Sequence, residues 1–128
     1  MRLFPILFVL AGCASVPSAG APVTGQWGGL HIGLTLDASG GQIAYDCAAG
    51  TIGLVRPDSA GRFTASGTHT PGHGGPVREG EVMPTHAATF AGTVRGDTMT
   101  LQGRIDTGVE LGPFTLRRGG EAGIFRCL

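Results

Sequence analysis

The residues of this chain best suited to chemistry gather in one stretch, 70–84, which reads TPGHGGPVREGEVMP. It holds His73, Arg78, Glu79 and Glu81, with His69 and His86 on its flanks. Imidazoles and carboxylates together are ligands for Zn²⁺ or Cu²⁺. Here Pro71 and two glycines interrupt the spacing, so nothing in the local chain holds these groups at metal-ligand geometry. No metal or cofactor is expected. On a loop this long without regular structure, His73, Arg78, Glu79 and Glu81 become candidates for contact with a ligand or partner.

Other chemistries find less. Gly72-His73-Gly74-Gly75 is followed by no Lys-Ser or Lys-Thr pair, so it is not a phosphate loop. The chain has no Gly-x-Ser-x-Gly elbow. Carboxylates for glycoside chemistry would have to come from Asp37, Asp46, Glu79, Glu81 and Glu110, which are scattered over turns and outward positions. An enzyme is not expected.

The elements that would position such a loop read as strands. Ile32, Leu34 and Leu36 alternate with polar or small residues, and Ile43, Tyr45 and Cys47 do so after the turn at Ser39-Gly40-Gly41. Runs with Ile52 and Leu54, and then Phe63, Ala65 and Gly67, follow around the turn Asp58-Ser59-Ala60-Gly61. Ala88, Phe90, Gly92 and Val94 pair across Gly96-Asp97 with Met99, Leu101, Gly103 and Ile105, a hairpin. Phe114 and Leu116 open another strand after Pro113, and Phe125 with Cys127 suggests a last short one. Seven or eight antiparallel strands predict an all-β, up-and-down barrel, with a β-sandwich as the alternative. Glycines at the inward positions 67, 92 and 103 favour the barrel, because a small closed sheet must bend and taper. Tyr45, Phe63, Phe90, Met99, Leu101 and Phe114 are expected inside, where they are numerous enough to fill it.

The first residues have a different grammar. Arg2, the short apolar run ending at Leu10 and the small residues Ala11 and Gly12 have the form of a secretory signal peptide, and the run is too short to span a membrane. Leu10-Ala11-Gly12-Cys13 resembles the lipobox of bacterial lipoproteins. The resemblance implies cleavage before Cys13 and lipidation of that residue, and Ala14 in place of Asp implies the outer membrane, with the protein facing the periplasm. The expected division is a signal peptide over 1–12, a flexible lipidated tether over 13–24 and one barrel domain over 25–128. An exported domain with two remaining cysteines, Cys47 and Cys127, is expected to pair them as a disulfide.

Composition excludes further classes. Basic and acidic residues number nine each, lysine is absent and the arginines are scattered apart from Arg117-Arg118. Neither nucleic acid nor a polybasic membrane patch is implied. Glycine supplies 24 of 128 residues without a triplet period, which means turns and not collagen.

Two resemblances extend past the leader. Gly25-Gln26-Trp27, with the only Trp of the chain, is similar to the opening of lipocalin and avidin-like barrels. It implies that Trp27 closes one barrel end, under Arg117 or Arg126. The segments WGGLHIGLTL, YDCAAGTI, GRFTASGTH, GGPVREG, ATFAGTVRGDTMTL and FRCL resemble an uncharacterised family of small bacterial lipoproteins, which implies no activity and no catalytic residues. The expected function is that of a non-enzymatic envelope lipoprotein acting as a binding module. Its partner would be an envelope protein, such as a periplasmic hydrolase that it inhibits, or a small apolar ligand held in the barrel.

Overall fold

The computed structural model describes residues 20–73, 75, 76 and 78–127. The expected signal peptide, Cys13 and the tether as far as residue 19 lie outside the described residues. The described chain forms eight strands: β1 (Gly25–Gly29), β2 (Ile32–Asp37), β3 (Gly40–Tyr45), β4 (Ala48–Gly53), β5 (Arg62–Pro71), β6 (His86–Arg95), β7 (Thr98–Ile105) and β8 (Glu110–Arg118). Each pairs antiparallel with its neighbour in sequence, and β8 returns to β1 through Trp27↔Arg118 and Gly28↔Arg117. The sheet is a closed up-and-down barrel, so the sandwich is set aside.

Period-2 alternation decides what lies inside, since a strand turns successive side chains to opposite faces. Trp27, Leu34, Ile43, Met99, Leu101 and Leu116 are all at 2% exposure or less. Phe63 and Phe90 are buried beside them, each opposite a glycine on the next strand: Phe63↔Gly92 and Phe90↔Gly103. A Cβ on Gly92 would stand 2.8 Å from the Phe63 ring, and one on Gly103 would stand 2.9 Å from Phe90. Two large rings fit a small barrel because the facing positions carry no side chain.

Several expectations at strand ends are corrected. Cys47 does not continue β3: with φ of +53° it turns the chain into β4. Past β4 it is Val55, not Leu54, that is fully buried, because the chain leaves the sheet there and the inward phase shifts by one residue. Pro113 lies within β8 and does not precede it, at a register irregularity opposite Leu101 and Gly103 where no ladder N–H is needed. Phe114 is only partly buried.

The segment 119–127 forms no strand and runs back over the outside of β1 and β2 as a strap. Gly119 N–H donates to Gln26 O at 2.6 Å, Gly123 N–H to Gly29 O at 2.9 Å and His31 N–H to Gly123 O at 2.8 Å. Gly28 and Gly33 make the track: a Cβ on Gly28 would collide with the strap backbone at Gly120 and Glu121, and one on Gly33 would sit 2.6 Å from the Ala122 methyl. The strap ends at Cys127, which lies at disulfide distance from Cys47 with Cα atoms 4.7 Å apart. Ahead of β1, in the stretch expected as tether, Val23 is buried and its N–H donates to Val55 O at 2.8 Å.

Candidate functional site

In an up-and-down barrel, alternate turns share an end. The links β1–β2, β3–β4, β5–β6 and β7–β8 form one end, the mouth; β2–β3, β4–β5 and β6–β7 form the other, the floor.

The floor is sealed. Trp27, without solvent exposure, lies under the Arg118 guanidinium, whose central carbon is 4.4 Å from the ring centroid. Arg118 Nε donates to Asp97 Oδ1 at 3.1 Å and the indole N–H donates to Thr24 O at 3.3 Å. The cap is therefore Arg118, and not Arg117 or Arg126: it continues the inward row of Phe114 and Leu116, whereas Arg117 points outward.

All four histidines come to the mouth. His31, at φ +68° in the first turn, hydrogen-bonds through Nδ1 to Asp46 Oδ2 in the β3–β4 turn. The other Asp46 oxygen accepts from Phe125 N–H at 2.7 Å, so this carboxylate fastens the strap to the rim. His86 Nδ1 lies 3.0 Å from Asp106 Oδ1. His73 Nε2 lies 2.9 Å from Glu81 Oε1 within the loop between β5 and β6. Glu81 also accepts from Arg78 N–H at 3.0 Å, and that bond, followed by the one to His73, holds its carboxyl below the usual value. The rim hydroxyls Thr70 and Thr85 bond each other at 2.8 Å.

His69 differs from the rest. It points inward opposite His86 in the β5–β6 register and is 7% exposed. Burial first, and the neighbouring His86 second, push its imidazole below the ordinary value, so it stays neutral. Its ring lies 5.3 Å from that of Tyr45, which is 5.7 Å from Phe114. Burial raises the Tyr45 phenol, which remains protonated. These rings line a cleft of about 310 Å³ whose rim carries Asp46 and Glu110.

Of the expected loop residues, His73, Arg78 and Glu81 meet in one small network and Glu79 is exposed beside them. Trp27 is not with them: it lies at the floor. The residues missed were His31, Tyr45, Asp106 and Phe114, together with Asp46 as part of this site. Turn parity would have grouped His31, Asp46 and Asp106 with the loop, because every second link falls at one end.

Large apolar side chains left in water concentrate at the mouth as well. Leu30 is 66% exposed, Val82 87%, Val109 55% and Phe125 60%. Leu54, just past β4, is the other large apolar residue exposed among the described residues. No protein-family model, curated protein or solved structure matches the chain.

Proposed function

We propose that this chain is a non-enzymatic lipoprotein of the bacterial outer membrane, held by lipid on Cys13 and facing the periplasm, that binds an envelope protein with the mouth of its barrel. The observation that carries this is the gathering of Leu30, Val82, Val109 and Phe125 in four separate segments of one rim. Contiguous exposed apolar residues among polar ones are the usual composition of a protein-recognition surface. Chain direction supports it: β1 enters the barrel at the floor, so an anchor preceding it attaches there and leaves the mouth directed outward. The alternative of an apolar ligand inside the barrel is weakened, since the inward positions are occupied by packed side chains. A periplasmic hydrolase, entered by the loop after β5, is the partner class that best suits a compact disulfide-closed module.

The test is a pull-down from intact envelope with the lipidated protein as bait, beside a variant in which residues 72–85 become a short turn and a second variant, Phe125→Ser. One protein enriched by the native chain and depleted by both variants is the expected result. Equal capture by all three baits would overturn recognition through the mouth. For the anchor, Cys13→Ser should abolish incorporation of labelled fatty acid and release the protein from membranes; retained label would refute lipidation at that residue.

A further inference from the structure

Two polar atoms at the mouth have no hydrogen-bond partner, the Tyr45 hydroxyl and His69 Nδ1. Both side chains are only 7% exposed. A buried polar atom left unpaired costs about 1–3 kcal/mol, and folded proteins retain such atoms mainly where a ligand, an ion or a water completes them. Here two stand together, with ring centroids 5.3 Å apart, in the wall of the 310 Å³ cleft. That volume is at the small end for ligand sites and suits one side chain better than a cofactor.

The lining specifies the chemistry of the guest. Its walls are the rings of Tyr45, His69 and Phe114, and its rim carries the carboxylates of Asp46 and Glu110. Neither lysine nor arginine lines it. The wider mouth is acidic, with Asp46, Glu79, Glu81, Asp106 and Glu110 against Arg78, Arg104 and Arg126. An anion would meet those carboxylates, and an apolar guest would leave both polar atoms unpaired. With its proton on Nε2, the neutral His69 ring presents Nδ1 as an acceptor, and the phenol oxygen accepts as well. An ammonium brings three donors and no acceptor, and it is attracted to aromatic faces. A guanidinium fits less well, because its planar fork calls for a free carboxylate. Asp46 is already engaged by His31 and Phe125 N–H, and Glu110 by Arg104 at 3.3 Å.

We infer that the mouth cleft is a receptor for the primary ammonium of a lysine side chain presented by the partner protein, with Tyr45 and His69 accepting its hydrogen bonds and Phe114 covering it. The assignment rests on the mouth being the recognition surface and names the side chain recognised there.

The experiment is an NMR titration of the full chain in detergent with Nα-acetyl-lysine methylamide, repeated with the uncharged norleucine analogue. Saturable shifts of Tyr45, His69 and Phe114 with the lysine probe, and none with norleucine at equal concentration, are expected. Tyr45→Phe should weaken lysine-probe binding about tenfold, the effect of one hydrogen bond to a charged group. The same variant should unfold at an unchanged or higher temperature, because it removes an unpaired buried hydroxyl; a merely structural tyrosine would show no loss of binding. Absence of saturable shifts, equal response to norleucine, or undiminished binding by Tyr45→Phe would each overturn the site. The titration needs no partner, so probe binding without capture of any envelope protein would support the cleft and overturn the recognition function. A captured partner that excess lysine probe fails to displace would do the reverse.

Discussion

Floor and mouth of the barrel are made from the same hairpins and carry opposite chemistry. At the floor, the one Trp is fully buried and its indole N–H, the Arg118 guanidinium above it and Asp97 all find partners. At the mouth, four large apolar side chains stand in water and two buried polar atoms are unpaired. A small barrel has to be closed somewhere to exclude water from its core, and Trp27 does this at the floor with packing alone. The mouth is thereby released from that task. It is held instead by a covalent link and ion pairs at its rim, which leave side chains free to face a partner.

Breaking the floor should have the largest effect. Trp27→Ala removes a ring with no solvent exposure and should destabilise by about 3–5 kcal/mol, measured by denaturant unfolding; a loss under 1 kcal/mol would mean that the floor does not organise the core. Breaking the strap comes next. Replacing Cys47 and Cys127 by Ser opens a loop with a sequence separation of 80 residues and should cost about 2–5 kcal/mol. The loosening should register as faster amide exchange at His31 and Gly123, whose backbones carry the strap. Unchanged exchange there would show that the hydrogen bonds suffice without the sulfurs.

Smaller effects separate the ends by pH. His69 has a folded-state value below that of the free imidazole, so the unfolded chain takes up a proton that the native protein refuses. Its contribution to stability is complete above about pH 6.5 and is lost as pH falls from there through the lower folded value. Asp37, at the floor, is lowered chiefly by the Ser39 hydroxyl and then by the Ser39 backbone N–H, so its contribution holds above its model value of 3.8 and fades only below that. A stability profile should therefore fall first in a window removed by His69→Gln, and again in a more acid one removed by Asp37→Ala. A profile unaltered by His69→Gln would contradict the assignment. The smallest effect on folding belongs to Phe125→Ser. With a side chain mostly in water, it should change stability by less than about 0.5 kcal/mol while abolishing partner capture.

Legibility in the sequence followed the same division. Every inward row of the central strands could be read from period 2, and so could the Gly96-Asp97 hairpin, since those strands meet water on one face and the core on the other. The glycines at 67, 92 and 103 pointed to a closed sheet, and the facing phenylalanines explain two of them. Where chain ends and turns take over, local pattern misled. Arg118 and Arg117 are adjacent and chemically identical, and only the register of β8 against β1 decides which one covers Trp27. Cys47 continued an alternation on paper, yet its positive φ places it in a turn facing the strap.

Strand number, fold class and the composition of the core were thus determined by the sequence alone, because each depends on contacts between residues two apart or across a short turn. The pairing of Cys47 with Cys127 was also readable, as the two cysteines left after the lipobox. Only the tertiary structure decided the site. His31, Asp46, His69, His86 and Asp106 are far apart in the chain and share no motif. Barrel closure brings them to one rim, through hydrogen bonds that form only when β8 meets β1.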